Sequence, residues 1–316
     1  MTRPLVIGSR RSGLARVQAE WVKSALEGLS TGRSFVIAFL ETSGDRWSER
    51  GESLLPGKGI FTKELENALL RREIDIAVHS MKDLATELPQ GLGIAAVSPR
   101  EDARDVWVSR SFPDWKAALP GTTVAVGSPR RIQQLRTLRP DLSFCEIRGN
   151  VDTRLRKLEA NPTWSGTVLA AAGLKRLGLL DSSFCFALFP FEAMLPAPGQ
   201  GALGIEARIE DEEVGRLLRL LHDDAAGWEV AAERAFLRSL GGGCRSAVGA
   251  KATVRQQELV LEGVAWIEAR GRNYRKRCTG RAEDAESLGK SLAEEILSEA
   301  GCPPDSGREI QSTTPA

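Results

Sequence analysis

Histidine and tyrosine are nearly missing from this chain: His79 and His222 are the two histidines, and one tyrosine occurs in 316 residues. A multi-histidine metal site is therefore excluded, no metal is expected, and any Cys–His dyad has just two candidates for its base. The five cysteines (145, 185, 244, 278 and 302) are odd in number, far apart and include no C-x-x-C pair. A disulfide framework and a structural zinc site are disfavoured, and a reducing, cytoplasmic setting fits. Charge of one sign is lacking as well, since 43 Lys plus Arg against 42 Asp plus Glu leaves +1. No global field draws in a polyanion, so nucleic acid is not the expected partner. No run reaches about 18 apolar residues, and Met1-Thr2-Arg3-Pro4 leads straight into the strand-like Leu5-Val6-Ile7. Neither membrane insertion nor export is expected. Sustained heptads are absent too, and a monomer is the expectation.

What is present is a long alternation of short apolar runs with helix-like segments, the pattern of βα units on mainly parallel sheets. Helical spacing is clear in Leu14, Val17, Trp21, Ala25 and Leu29. The strand candidates are Leu5-Ile7, Phe35-Leu40, Ile74-Val78, Ile94-Val97, Val106-Val108, Val124-Val126, Phe144-Ile147, Val168-Ala170 and Leu203-Ile205. Glycine and proline gather at Ser43 to Gly59, read as a long mobile loop, and at Met194 to Gly201, read as an interdomain crossing. After Trp228 the pattern changes to a helix, three antiparallel strand candidates (Ala247-Val254, Leu259-Trp266, Asn273-Thr279) and a helix from Ala282 to Ala300, a small α+β domain. The Ser, Thr and Pro-rich tail from Pro303 reads as disordered.

Two segments look alike, Val6-Ile7-Gly8-Ser9-Arg10-Arg11 and Val124-Ala125-Val126-Gly127-Ser128-Pro129-Arg130-Arg131. Each reads as a strand, a Gly-Ser turn and arginines opening a helix, with Ser128 at the N-cap and Pro129 at the first helical position. Free N–H groups at a helix start make each a candidate anion cradle, the alternative being an ordinary capped helix with solvated arginines. Between Arg130 and Lys157 eight basic residues face three acids. Arginine forks at neighbouring strand ends suit a ligand with many carboxylates, whereas Arg136, Arg139, Arg156 and Lys157 also fit a solvated helix face.

Ile74 to Val78 ends in His79-Ser80-Met81-Lys82-Asp83. Ligands of open α/β sheets bind at carboxyl ends of strands, which puts Lys82 and Asp83 where chemistry is expected. A helix cap or a Lys82–Asp83 pair is the alternative, and His79 reads as a hydrogen-bonded structural residue. Gly241-Gly242-Gly243-Cys244-Arg245 places a thiol on a glycine loop beside a cation, which favours the thiolate; an inert cysteine after a helix end is the competing reading.

Taken together, Val78-His79-Ser80-Met81-Lys82-Asp83, Arg148-Gly149-Asn150, Gly173-Leu174-Lys175-Arg176-Leu177-Gly178, Pro198-Gly199-Gln200-Gly201 and the Gly-Gly-Gly-Cys244 loop resemble the porphobilinogen deaminase (hydroxymethylbilane synthase) family over nearly the whole chain. The resemblance implies an α/β fold: two periplasmic-binding-protein-like (type II) α/β domains plus a small C-terminal α+β domain. Domain 1 would span residues 1–98 and 197–219, domain 2 residues 99–196, and domain 3 residues 220–302, with the tail at 303–316. It also implies a transferase that joins porphobilinogen molecules on a dipyrromethane cofactor, attached through a thioether to Cys244. Asp83 matches the family's catalytic aspartate, with Arg10 and Arg148 assisting. Cofactor contacts would come from Lys82, Asp83, Ser128, Arg130 and Arg131. Substrate contacts would come from Arg10, Ser12, Arg148, Arg154, Arg176 and Gln200, and Asp45, Lys58 and Phe61 would belong to a mobile loop. Departures are Val126, where the family commonly has a threonine, and Leu54, where some members place a lysine.

Overall fold

A computed structural model describes residues 3–29, 32–45, 60–180, 183–241 and 247–302. Strands β1 (Leu5–Arg10), β2 (Phe35–Leu40), β3 (Ile76–Ser80), β4 (Leu92–Val97) and β10 (Leu203–Arg208) form one sheet in the order β2-β1-β3-β10-β4. In it β1 pairs in parallel with β2 and β3, while β10 runs antiparallel to both β3 and β4. Strands β5 (Asp105–Ser109), β6 (Thr123–Ala125), β7 (Ser143–Cys145), β8 (Trp164–Ala170) and β9 (Cys185–Leu188) form a second sheet, β7-β6-β8-β5-β9. Here β5 is the antiparallel strand, paired with β8 and β9. The same five-strand plan thus occurs twice. In each sheet the reversed strand is the one that follows a crossing segment of the chain.

These strands read as apolar runs because both faces are covered. In β5, Trp107 points into a core with Trp115, Val124, Leu135, Val168 and Phe189, while its neighbours Val106 and Val108 join Leu155, Leu158, Leu169 and Leu174 on the other side. In the first sheet, Ile7, Ile76, Val78 and Ile205 pack against Val22 and Leu26 of the helix Gly13–Leu29, and Ala77 with Leu92 meets Leu65 and Leu69 of the helix Lys63–Leu70. A third sheet, β11 (Val248–Arg255), β12 (Glu258–Ile267) and β13 (Arg272–Arg281), is antiparallel and lays one face on the helices Asp224–Ser239 and Ala285–Glu299.

The chain divides into two compact units, Met1–Glu101 with Gly201–Gly227, and Asp102–Gln200 with Trp228–Ala316. The third sheet is tied into the second unit by polar contacts. Asn273 Nδ2 donates to Gln133 O at 3.1 Å and to Thr137 Oγ1 at 2.9 Å. Arg275 donates to Glu192 O at 2.6 Å and Phe191 O at 2.8 Å. Glu233, fully buried on the helix Asp224–Ser239, accepts the Gly199 N–H at 2.7 Å and the Ala252 N–H at 2.8 Å.

All nine strand candidates of the βα region are strands, with ends displaced by a few residues. β9 had no counterpart in the sequence reading, because it is a short edge strand whose side chains stay half-exposed and carry no alternation. The tail from Pro303 and most of the loop from Ser43 to Gly59 lie outside the described residues.

Candidate active site

At the carboxyl end of β3 the chain makes a short turn, Met81–Asp83. Met81 and Leu84 are both buried, and Met81 N donates to Ala202 O at 3.0 Å, so the turn is pinned at its first residue and just beyond its last. Lys82 and Asp83 lie between those anchors, half-exposed. His79, on β3 itself, is buried with its Nε2 3.0 Å from Glu206 Oε2, which agrees with its reading as a hydrogen-bonded structural residue.

β1 corrects the reading of the first arginine segment. Gly8, Ser9 and Arg10 belong to the strand, and Ser9 is buried with its hydroxyl donating to Ala15 O at 3.0 Å. The turn falls at Arg11–Ser12, where Ser12 Oγ accepts the Ala15 N–H at 3.4 Å and the helix starts at Gly13. Strand pairing with β2 as far as Leu40 holds Gly8 to Arg10 extended, which overrides the turn preference of Gly-Ser. Arg10 therefore sits at a strand end, not in a helix. Its Nη2 donates to Asp45 Oδ1 at 2.5 Å and its Nε to the same carboxylate at 3.2 and 3.3 Å, while its guanidinium carbon lies 4.2 Å from the Phe61 ring centre. Three of the expected site residues, Arg10, Asp45 and Phe61, thus form one cluster. Burial pushes the Asp45 carboxyl up, but bonds from Arg10 and Thr42 outweigh it and hold it below its ordinary value. Lys58, expected beside them, lies outside the described residues.

The second arginine segment does open a helix, Pro129–Leu138, with Ser128 as N-cap residue and Pro129 at its start. The Ser128 hydroxyl makes no capping bond. Arg130 and Arg131 are not solvated: both are buried around Asp105, with Arg130 Nη1 2.6 Å from Oδ2 and Arg131 Nη2 2.8 Å from Oδ1. Burial alone would push the Asp105 carboxyl up; two guanidinium charges overcome it and hold the group well below the usual carboxylate range. Two arginines against one aspartate leave a buried site with one positive charge in excess. Sequence reasoning missed Asp105, whose signal was a lone acid opening an otherwise apolar strand.

Gly127 explains how the next turn comes close, since a Cβ there would fall 2.4 Å from Ile147 O. Beyond Ile147 the chain turns at Gly149, whose φ of +122° is one that L side chains rarely adopt. Arg148 precedes it and pairs with Glu146, yet its Nε is buried without a hydrogen-bond partner among the described residues. Two cations from the helix Val151–Ala160 brace this turn: Arg154 Nε donates to Gly149 O at 2.7 Å and Lys157 Nζ to Arg148 O at 2.9 Å. Arg139 is drawn inward to Asp141 and the carbonyls of Trp115, Lys116 and Ala118, whereas Arg156 is an exposed partner of Asp152. Arg176 ends the helix Ala171–Arg176, half-exposed. Gln200 is buried, and its Nε2 donates to Ala103 O at 2.7 Å and Asp105 Oδ1 at 3.0 Å. Val126 is packed in the core beside Trp107 and Val168, so its missing hydroxyl leaves no polar group to satisfy there. Cys244 and Leu54 lie outside the described residues.

Among the described residues no group of three or more His, Cys, Asp or Glu side chains could hold a metal ion, and no helix is long and apolar enough to cross a membrane. A cavity of about 450 Å³ lined by Arg136, Pro140, Leu142, Ser143 and Phe144 includes none of the expected site residues.

Comparison with known proteins adds two family models: "Porphobilinogen deaminase, dipyromethane cofactor binding domain" matches residues 5–216, and "Porphobilinogen deaminase, C-terminal domain" matches residues 228–298. A porphobilinogen deaminase of Roseiflexus sp. (strain RS-1) is 45% identical over 302 residues, covering 95% of this chain and 98% of that one. Another, from Desulforudis audaxviator (strain MP104C), is 46% identical over 297 residues, covering 94% of this chain and 95% of that one. Among solved structures, the methionine binding protein MetQ is similar at a TM-score of 0.44 and 14% identity, covering 73% of this chain and 94% of that one.

Proposed function

Because the chain belongs to the porphobilinogen deaminase family, we propose that it condenses four porphobilinogen molecules head to tail on a dipyrromethane cofactor, releasing hydroxymethylbilane. Four ammonia molecules leave, and one water is consumed when the product is freed. The observation that carries this reading is the match of both domain models, which together take in residues 5–216 and 228–298.

The residues fit such a polycarboxylate ligand. Among the described residues Arg148 has a buried nitrogen without a partner, and the Asp105, Arg130 and Arg131 group has one positive charge in excess. When bound, the dipyrromethane supplies the free pyrrole carbon from which growth starts. Cys244 would hold it through a thioether, and Lys82, Ser128, Arg130 and Arg131 would bind its acetate and propionate groups. Arg10, Ser12, Arg148, Arg154 and Arg176 would bind carboxylates of incoming substrate. Asp83, held between two buried anchors, would accept the substrate's pyrrole N–H and stabilise the positive charge that develops as the C–N bond breaks. Arg10 would be shared between substrate and Asp45, so its ion pair must loosen when a carboxylate arrives. The Phe61 ring beside Arg10 covers part of that guanidinium and strengthens its polar contacts by excluding water. The substrate is the partner this reading requires; a cytoplasmic monomer is part of the same proposal.

Intact mass spectrometry of the purified protein tests the attachment. The wild type should exceed its polypeptide mass by two linked pyrrole units, and Cys244→Ser should remove that excess. A fully active wild type of bare polypeptide mass would sink it.

A further inference from the structure

The buried group of Asp105, Arg130 and Arg131 has a fourth member, Gln200. Oδ1 of Asp105 accepts three N–H groups: Arg131 Nε at 3.1 Å, Arg131 Nη2 at 2.8 Å and Gln200 Nε2 at 3.0 Å. Oδ2 accepts Arg130 Nη1 at 2.6 Å, and the same nitrogen donates to Leu195 O at 2.7 Å. Leu195 is itself fixed by a two-way bond with Gln134, whose Oε1 accepts the Leu195 N–H at 2.8 Å and whose Nε2 donates to Leu195 O at 3.0 Å. The crossing segment therefore grips the arginine pair at both ends, through Leu195 and through Gln200. Arg130 makes both bonds through Nη1, so among the described residues Nε and Nη2 are the donors it keeps for an anion.

We propose that Gln200 is a positioning residue: with Asp105 it holds Arg130 and Arg131 at one net positive charge and in a fixed direction, so that the pair takes a single carboxylate of the pyrrole chain. This rests on the reading of Arg130 and Arg131 as carboxylate contacts. An amide suits the role because it fills the third acceptor direction on Asp105 Oδ1 without altering the charge. A carboxylate there would cancel the excess charge, and an ammonium would double it. Gln200 thus acts through Asp105, in place of the substrate contact that the family resemblance implies, and its burial agrees.

The test uses the full chain as Gln200→Glu, Gln200→Lys and wild type, reading KM for porphobilinogen from about pH 5.5 to about pH 8.5, together with the mass of attached pyrroles. In Gln200→Glu burial, Asp105 and Glu233 on the neighbouring Gly199 N–H raise the titration of the introduced carboxyl while Arg130 and Arg131 lower it, and the group is charged at the alkaline end. There KM should rise about tenfold and attached mass should fall. Gln200→Lys should instead lower KM, and it carries the test if Gln200→Glu does not fold. A rise in KM in both variants, or no change in either, overturns the proposal. A wild type without attached pyrroles would instead sink the cofactor reading, while the opposite KM responses of the two variants still report on the arginine pair.

Discussion

Arg10 and Asp45 meet through two guanidinium nitrogens, with Nη2 2.5 Å from Oδ1, although 35 residues separate them and neither is a helix neighbour of the other. The pair is mostly buried, 15% and 9% exposed, so removing one member strands the other charge. Asp45→Asn should cost about 3 kcal/mol of stability at neutral pH, read from denaturant midpoints. The Asp45 carboxyl is depressed in the folded state, so its stabilisation is complete above the ordinary carboxylate value and is lost as pH falls through the lower folded one. The gap between wild type and variant should therefore close in acid, below about pH 4. A gap independent of pH would show that the pair is not its source.

Asp83→Asn keeps the size of the side chain but removes the charge. Met81 and Leu84 hold the turn from either side, so the variant should melt within a few degrees of wild type. Turnover should drop by about 10²-fold or more, the scale for removing a group that meets charge in a transition state. Steady-state kinetics beside a melting curve separates the two effects, and retained turnover refutes the assignment.

Glu233 satisfies two buried backbone N–H groups that are far apart in sequence, on Gly199 and Ala252. Glu233→Gln can keep one acceptor and should cost about 1–3 kcal/mol; Glu233→Ala leaves both donors unpaired and should cost about twice that. Urea denaturation of the two variants gives the ratio. Equal losses would mean that one of the two bonds contributes nothing.

His222 gives a second pH dependence, of opposite chemical origin. Its Nδ1 accepts the Val97 N–H at 3.1 Å, which requires the neutral ring. Burial, with Arg219 adding to it, pulls His222 below its ordinary value. A histidine depressed on folding stabilises above its unfolded value of about 6.5 and loses that contribution as pH falls through the folded value. Stability of wild type should decline as pH falls below about 6.5, and His222→Gln should remove that slope in thermal melts. An unchanged slope would assign it elsewhere.

Much of this was legible in the chain. Apolar runs such as Val106–Val108 are strands because burial on both faces allows no polar side chain, and the crossing at Met194–Gly201 announced itself by glycine and proline. Identifying Ser128-Pro129 as a helix start succeeded because local stereochemistry decides it. Gly8-Ser9 failed for the complementary reason: pairing with a strand 30 residues away fixed that backbone, and a local signal carries nothing about it. Asp105 was invisible for the same cause, since its meaning comes from Arg130, Arg131 and Gln200, which the fold alone brings together. Within the basic run, the solvated face read for Arg139 and Arg156 holds for Arg156 alone of the two: Arg156 faces solvent, Arg139 anchors loop carbonyls, and Arg131 is buried.

The two sheets differ in how far apart along the chain their strands lie. Residues 105–188 contain every strand of the second sheet, so it can assemble as soon as that stretch has left the ribosome. The first sheet cannot, because among the described residues β4 pairs with β10 alone, which arrives more than a hundred residues later. During synthesis β3 and β4 must wait with open edges while the second sheet closes. The lobe bearing Asp83 is thus made first and finished late, and it is the one exposed to misassembly when elongation stalls before Leu203.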